Sequence, residues 1–370
     1  MISGYYYTEN NLTDLTSASR RILIIGPSWV GDMVMAQSLF ILLKQQEPNC
    51  QIDVMAPNWS GALLERMPQV SEFIAMPLGH GVLQLKMRYR LGRALQKSHY
   101  DQCILLPNSL KSALIPFWAK ISQRTGYIGE MRYGLLNDIC KLDKSMLTMT
   151  VQRFAALAYP KTQMYQPQYR QLDNIPVPSL QVKTEQVDKA LQKFALTKAQ
   201  PVLSLCPGAE YGPAKQWPAR HYAQLAREKI SQGWQVWIFG SQKDQAIGEE
   251  ILKLINAPSA VSLCGKTELA QAIDLMSVSS MVVSNDSGLM HMAAALGVLV
   301  VGVYGSSDPN FTPPLGKNSK TVSLNLECSP CFKRTCPLGH TNCLQKLTPE
   351  LVFSTLEQLS THKSSKADLS

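Results

Sequence analysis

A short apolar run that stops at a glycine and gives way to helical periodicity occurs near both ends of the chain. That repetition narrows the fold more than any other feature. Arg21-Ile22-Leu23-Ile24-Ile25 is continuously apolar after its first residue and ends at Gly26, as in a strand covered on both faces. Beyond the loop 26–31, Met35, Leu39, Leu42 and Leu43 recur at helical spacing up to Pro48, before which a helix must end. Further strands are predicted at residues 51–56 and 102–106. The alternation restarts in the second half, with strands at 202–206, 235–239, 261–263, 281–284 and 299–304 and helices at 221–232, 268–277 and 348–360. Alternation of this kind makes a parallel sheet with helices on both faces, and here it makes two. Between them, residues 166–182 hold three prolines and little periodicity, which suits a linker.

The expected organisation is therefore an extension (1–20), a doubly wound α/β domain (21–168), a linker (169–182), a second such domain (183–347), and a final helix with a polar tail (348–370). Ligands bind beyond the carboxyl ends of strands in such sheets, so two facing domains make one interdomain cleft. Composition agrees: 370 residues, 45% hydrophobic and 17% charged, can bury two cores and exclude a disordered chain. The longest apolar run, 292–304, falls short of the roughly 20 residues needed to span a bilayer. Gly297 interrupts it, so it reads as a helix end followed by a buried strand. The first 19 residues have neither a basic start nor an apolar stretch, unlike a signal peptide. Nine cysteines without an export signal imply a reducing compartment, so the chain is expected in the cytoplasm.

The net charge of +9 is uneven. Residues 1–180 hold 18 Lys/Arg against 12 Asp/Glu, and no acid occurs from Phe73 to Tyr100, where Lys86, Arg88, Arg90, Arg93 and Lys97 cluster. Such a stretch attracts polyanions or an anionic membrane surface; a solvated helix face is the other reading. No nucleic-acid motif accompanies it, and nucleic acid is not an expected partner.

Four loops follow predicted strands. The first, Gly26-Pro27-Ser28-Trp29-Val30-Gly31, has P-loop spacing, but Asp32-Met33 stands where Lys-Ser/Thr would meet a phosphate. A carboxylate at a helix start and at a cleft mouth can serve as a general base or merely complement the helix dipole; the loop alone leaves both open. The second, Ser284-Asn285-Asp286-Ser287-Gly288-Leu289-Met290-His291, opens a helix whose free N–H groups form an anion site. Ser287 and Gly288 admit a phosphate there, His291 is one turn along, and Asp286 can accept from sugar hydroxyls. Capping by Asp286 or Ser287 is the plainer alternative. The third loop, 206–218, brings Gly208 and Lys215 near a ligand, Lys215 as a cation for a diphosphate. The fourth offers Gly240, Ser241 and Gln242 as nucleoside contacts. Separately, Cys328, Cys331, Cys336 and Cys343 fall within a short stretch that also holds His340. Four thiolates can hold a structural zinc, although the second C-x2-C of zinc ribbons is missing; reduced thiols or oxidation are the alternatives.

Together the loops resemble the ADP-heptose:lipopolysaccharide heptosyltransferases, inverting glycosyltransferases of family 9 with the GT-B fold of two facing Rossmann-like domains. The resemblance rests on residues 25–33, on Lys215-Gln216-Trp217-Pro218 and on 285–291, in that order. Residues 106–112 and 129–138 are similar to the second enzyme of that pathway rather than the first. The resemblance implies transfer of L-glycero-D-manno-heptose from ADP-heptose to the first heptose of the lipopolysaccharide inner core on Kdo-lipid A, at the inner face of the inner membrane. It implies Asp32 as the general base and Lys215 as the cation that neutralises departing ADP. Ser287, Gly288 and His291 would seat the diphosphate, Asp286 would hold the heptose, and no metal cofactor would be required. Arg88, Arg90, Asn108, Lys111, Arg124 and Arg132 become the candidates for the acidic acceptor. One departure stands out: where the first enzyme of the pathway has an acid after the Gly240 turn, this chain has Gln242 and Lys243. A GT-B enzyme for another nucleotide sugar, or a noncatalytic nucleotide-binding module, are the rival readings.

Overall fold

The computed structural model describes residues 19–79 and 81–367; the expected extension up to residue 18 and the last three residues of the tail lie outside them. Two sheets carry the molecule. The first contains β1 (Arg21–Ile25), β2 (Gln51–Pro57), β3 (Glu72–Met76), β4 (Gln102–Leu105), β5 (Gln123–Tyr127) and β6 (Asp138–Cys140), in the order β3-β2-β1-β4-β5-β6. The second contains β7 (Val202–Cys206), β8 (Gln235–Ile238), β9 (Ala260–Ser262), β10 (Met281–Asn285), β11 (Leu299–Val303) and β12 (Ser319–Val322), in the order β12-β11-β10-β7-β8-β9. Every pairing is parallel.

Strand order reverses between β1 and β4 in the first sheet and between β7 and β10 in the second. Crevices open at such switch points, and the loops after β1, β7 and β10 are those that carry the motifs. β3, β5, β6 and β12 are absent from the sequence reading. β3, β6 and β12 are edge strands, half-buried or short, and β5 reads Gln-Arg-Thr-Gly-Tyr. β5, β6 and β12 lack the continuous apolar run of a doubly covered strand; β3 has one, Phe73-Ile74-Ala75-Met76, that the sequence reading passed over.

The first helix, Val30–Gln46, buries every residue from Met33 to Phe40. A helix apolar nearly all round must be covered on all sides. One side faces its own sheet, and another faces the helix Gly288–Ala295 of the second lobe, whose Met292 and Ala295 join the first lobe's core together with Ile273. The two polar residues on the buried stretch are satisfied by the chain joining the lobes. Ser38 donates to Pro176 O (2.7 Å), and Gln37 exchanges bonds with Ser179 (2.7 and 2.9 Å). Leu180 N–H donates to Ala295 O and Gln181 N–H to Arg66 O, both at 2.9 Å. The connecting segment is thus clamped to both lobes.

Gly297 adopts φ +73° between the helix Gly288–Ala295 and β11, ending the run that hydropathy had suggested. The last helix, Pro349–Ala367, runs beyond the expected residue 360. It packs through Val352, Leu356 and Leu359 into the second lobe's core. Among the described residues no helix is long and apolar enough to cross a membrane.

Candidate active site

A cavity of about 610 Å3 lies between the lobes. From the first lobe come the loop after β1 and the first turn of its helix, including Trp29 and Asp32; from the second come Lys215, Asp286 and His291. The lobes approach so closely that two glycines are needed. A Cβ on Gly288 would stand 2.6 Å from Val30 Cβ, and one on Gly31 would stand 2.7 Å from the His291 ring.

Asp32 occupies the first turn of its helix, which has no side-chain cap. Burial pushes its carboxyl up to about 6; the negative charge of Asp286 adds to the push and Lys215 opposes it. A carboxylate so tuned is a base of suitable strength near neutrality. Opposite it, Lys215 Nζ meets Asp286 Oδ2 at 2.5 Å, with only 18% and 6% of the side chains exposed. Burial holds the His291 imidazole down at about 4, so at pH 7 it is neutral and offers a dipole rather than a charge.

The helix Gly288–Ala295 starts without a side-chain cap: Ser287 pairs with Ser284 Oγ (3.1 Å) and Asp286 with Lys215. The capping alternative for these residues is therefore not what the chain does. Ser287 and Gly288, at this uncapped start, form part of the cavity wall. Gly208, Gly240 and Ser241 also line the cavity, but Gln242 does not; its amide turns to Gln245 Oε1 (2.6 Å).

Two residues that stand inside the loops read from sequence have no role of their own in that reading. Asp244 lines the cavity and accepts from Ser241 N–H (2.8 Å) and Ser241 Oγ–H (2.7 Å). A Cβ on Gly208 would come within 2.7 Å of its carboxylate, and one on Gly240 within 2.7 Å of its Cβ. The acid that seemed missing after the Gly240 turn is thus present two residues beyond Gln242, and the Ser-x-x-Asp spacing is the signal for it. Asn285 is fully buried behind the site. Its Oδ1 accepts from Trp217 N–H (3.0 Å) and Tyr222 Oη–H (2.9 Å), while its Nδ2 donates to Pro207 O (2.7 Å). One amide thus joins the loop after β7, the Lys-x-Trp-Pro element and the loop after β10. Trp217 anchors that element from within the core, donating Nε1–H to Leu347 O at 2.8 Å.

Residues 88–342 match glycosyltransferase family 9 (heptosyltransferase). The chain is 47% identical over 346 residues to a lipopolysaccharide heptosyltransferase 2 of Salmonella typhimurium, covering 92% of this chain and 98% of that one. It is 48% identical over 348 residues to a lipooligosaccharide heptosyltransferase 2 of Haemophilus influenzae, covering 91% and 99%. This chain belongs to glycosyltransferase family 9. The structure of E. coli ADP-heptose lipopolysaccharide heptosyltransferase II superposes on this family 9 glycosyltransferase with a TM-score of 0.84 at 43% identity, over 93% of this chain and 99% of the other. The architecture is GT-B, two Rossmann-like lobes across a cleft.

The acceptor candidates of this glycosyltransferase stand apart from the cavity. Arg132 is fully buried and donates to Pro107 O (2.7 Å), Tyr127 O (2.6 Å), Ser109 O, Ser112 Oγ and Asn108 Oδ1; burial lowers its guanidinium to about 10. Arg88 is buried and donates to Val82 O, Leu83 O and Lys111 O. Arg124 donates to Ile121 O and Leu135 O (both 2.6 Å). These three, with Asn108 as a partner of Arg132, bond to the protein's own loops here, and Asn108 is also exposed. Arg90 is exposed and Lys111 half-buried. The four clustered cysteines are free thiols around a second cavity of about 20 Å3. Among the described residues no three or more His, Cys, Asp or Glu side chains are grouped to hold a metal ion.

Proposed function

We propose that this glycosyltransferase moves L-glycero-D-manno-heptose from ADP-heptose onto the first heptose of the inner core on Kdo-lipid A, with inversion. The observation that carries the reading is the carboxylate of Asp32 facing, across one cavity, the Lys215–Asp286 pair and an uncapped helix start. Asp32 accepts the proton of the acceptor hydroxyl as its oxygen bonds to the anomeric carbon. The bond from that carbon to the diphosphate oxygen breaks, and the electron pair leaves with ADP. Direct attack from the opposite face turns a β-linked donor into an α-linked product.

Negative charge grows on the diphosphate during the step. Lys215 and the N–H groups at Ser287 and Gly288 meet it with donors already in position. His291, being neutral, contributes a hydrogen bond. Asp286 accepts from hydroxyls of the heptose, and Gly208, Gly240, Ser241 and Asp244 border the nucleoside. Arg90 and Lys111 remain the cations for phosphates or Kdo carboxylates of the acceptor, which a peripheral position at the cytoplasmic face of the inner membrane would bring within reach.

The test is a donor panel. Purified enzyme with heptosyl-Kdo2-lipid A should consume ADP-heptose and leave UDP- and GDP-sugars untouched. Turnover of a UDP-sugar with ADP-heptose ignored would overturn the donor assignment.

A further inference from the structure

Among the described residues, nine of the sixteen large hydrophobic side chains that stand exposed lie between residues 82 and 133. Monomeric proteins seldom gather so many without a partner. The helix Leu85–Leu95 buries Arg88, Gly92 and Leu95 and half-buries Leu91 against the core. Gly92 lets it cross the helix Leu110–Trp118 closely, since a Cβ there would be 2.7 Å from Trp118 Cβ. Leu85, Lys86, Met87, Tyr89, Arg90 and Arg93 all face out, so the helix shows solvent both its apolar and its basic residues.

The buried arginines make this surface continuous. Arg88 ties the segment after β3 to the one after β4 through Val82 O, Leu83 O and Lys111 O. Arg132 ties the segment after β4 to the one after β5 through Pro107 O and Tyr127 O. Met131 and Tyr133, at 82% and 69% exposed, project from the last of these. All three segments leave carboxyl ends of parallel strands, the sheet edge from which Asp32 faces the cleft. The nearby acid, Glu130, accepts from Leu110 N–H at 2.7 Å, and none lies between Phe73 and Tyr100.

We propose that this face docks on an anionic phospholipid bilayer, with Leu83, Leu85, Met131 and Tyr133 entering the headgroup region and Lys86, Arg90 and Arg93 meeting lipid phosphates. An apolar surface interspersed with cations fits an interfacial site. A second copy of the chain fits it poorly, since a twofold contact would oppose two basic surfaces. The proposal rests on the lipid-borne acceptor of the proposed function and adds where the lipid surface is met.

Co-sedimentation of the full chain with phosphatidylethanolamine–phosphatidylglycerol vesicles, against phosphatidylcholine vesicles, tests it. The wild type should partition to the anionic vesicles and be released by salt. K86A/R93A should bind about 25-fold more weakly, at about fivefold per cation, and M131S/Y133S should weaken the part of binding that resists salt. Both variants should keep wild-type kcat/KM on the heptosyl-Kdo saccharide without lipid and lose it on the vesicle-borne acceptor. Wild-type partitioning in both variants, or no wild-type preference for anionic vesicles, overturns the proposal. So does a wild-type dimer that either variant turns into a monomer, which would make the face a self-interface. Failure of transfer to both acceptors would instead sink the heptosyl reading and leave vesicle binding to decide the docking face by itself.

Discussion

Asn285 in the second lobe and Arg132 in the first are both fully buried, both polar, and both surrounded by loop backbone. Asn285 binds together the loops after β7 and β10, which converge on the cavity. Arg132 binds together the loops after β4 and β5, which turn outward and expose Met131 and Tyr133. The second lobe thus uses its buried polar centre to fix the loops that wall the cavity and carry Lys215. The first lobe uses its own to shape an outer surface, and contributes to the cavity chiefly the loop and first helical turn that carry Asp32. The difference teaches that guanidinium groups in a basic segment can serve to hold apolar side chains at the surface.

The strongest way to break this division is to remove the first lobe's contribution to the chemistry. Asp32→Ala should lower kcat by about 10²–10⁴-fold, the usual worth of a general base, while ADP affinity by calorimetry stays close to wild type, because the nucleotide cradle belongs to the other lobe. Near-wild-type turnover would take Asp32 out of the mechanism.

The next effect is on stability. Arg132→Ala removes its bonds to the Tyr127 and Pro107 carbonyls, the latter keeping only a longer bond from Ser112 Oγ (3.3 Å), and lost partners of buried groups cost about 1–3 kcal/mol each. A loss of about 3 kcal/mol in denaturant unfolding is expected, compared with no more than about 0.5 kcal/mol for Arg90→Ala on the exposed face. Equal losses for the two would mean that Arg132 does not hold the loops together.

Much of this was legible before the fold was known, and unevenly so. β1, the five strands 202–206 to 299–304 and the helix after Gly31 announce themselves because buried parallel strands and a doubly covered helix have continuous apolar sequences. Asp32, Lys215 and Asp286 were readable because each follows a strand end, where a parallel sheet opens its crevice. β6 and β12, at sheet edges, have no such run, whereas β3 has a short one at 73–76 that was passed over. The burial of Arg88 and Arg132 was not legible, because charge patterning counts a guanidinium without showing which carbonyls surround it. Asn285 stood inside a quoted motif, but its work lies in bonds to residues 207, 217 and 222, contacts made only by the fold. Asp244 was hidden by one assumption, that the acid had to follow the turn directly.

The smallest expected effect tests the electrostatic link across the cleft. Asp32 must be ionised to accept a proton, and its carboxyl stands at about 6 in the ligand-free protein. The kcat/KM profile, which reports the free enzyme, should therefore fall as pH drops through about 6. Asp286 raises that carboxyl and Lys215 lowers it. Asp286→Asn should then move the acid limb to lower pH, and Lys215→Ala should move it to higher pH. Limbs that move the same way, or do not move, would show that the titrating base is another group. Both substitutions also weaken donor contacts and lower the whole curve. The position of a limb does not depend on the height of its plateau, so the opposite signs stay readable even in poorly active variants.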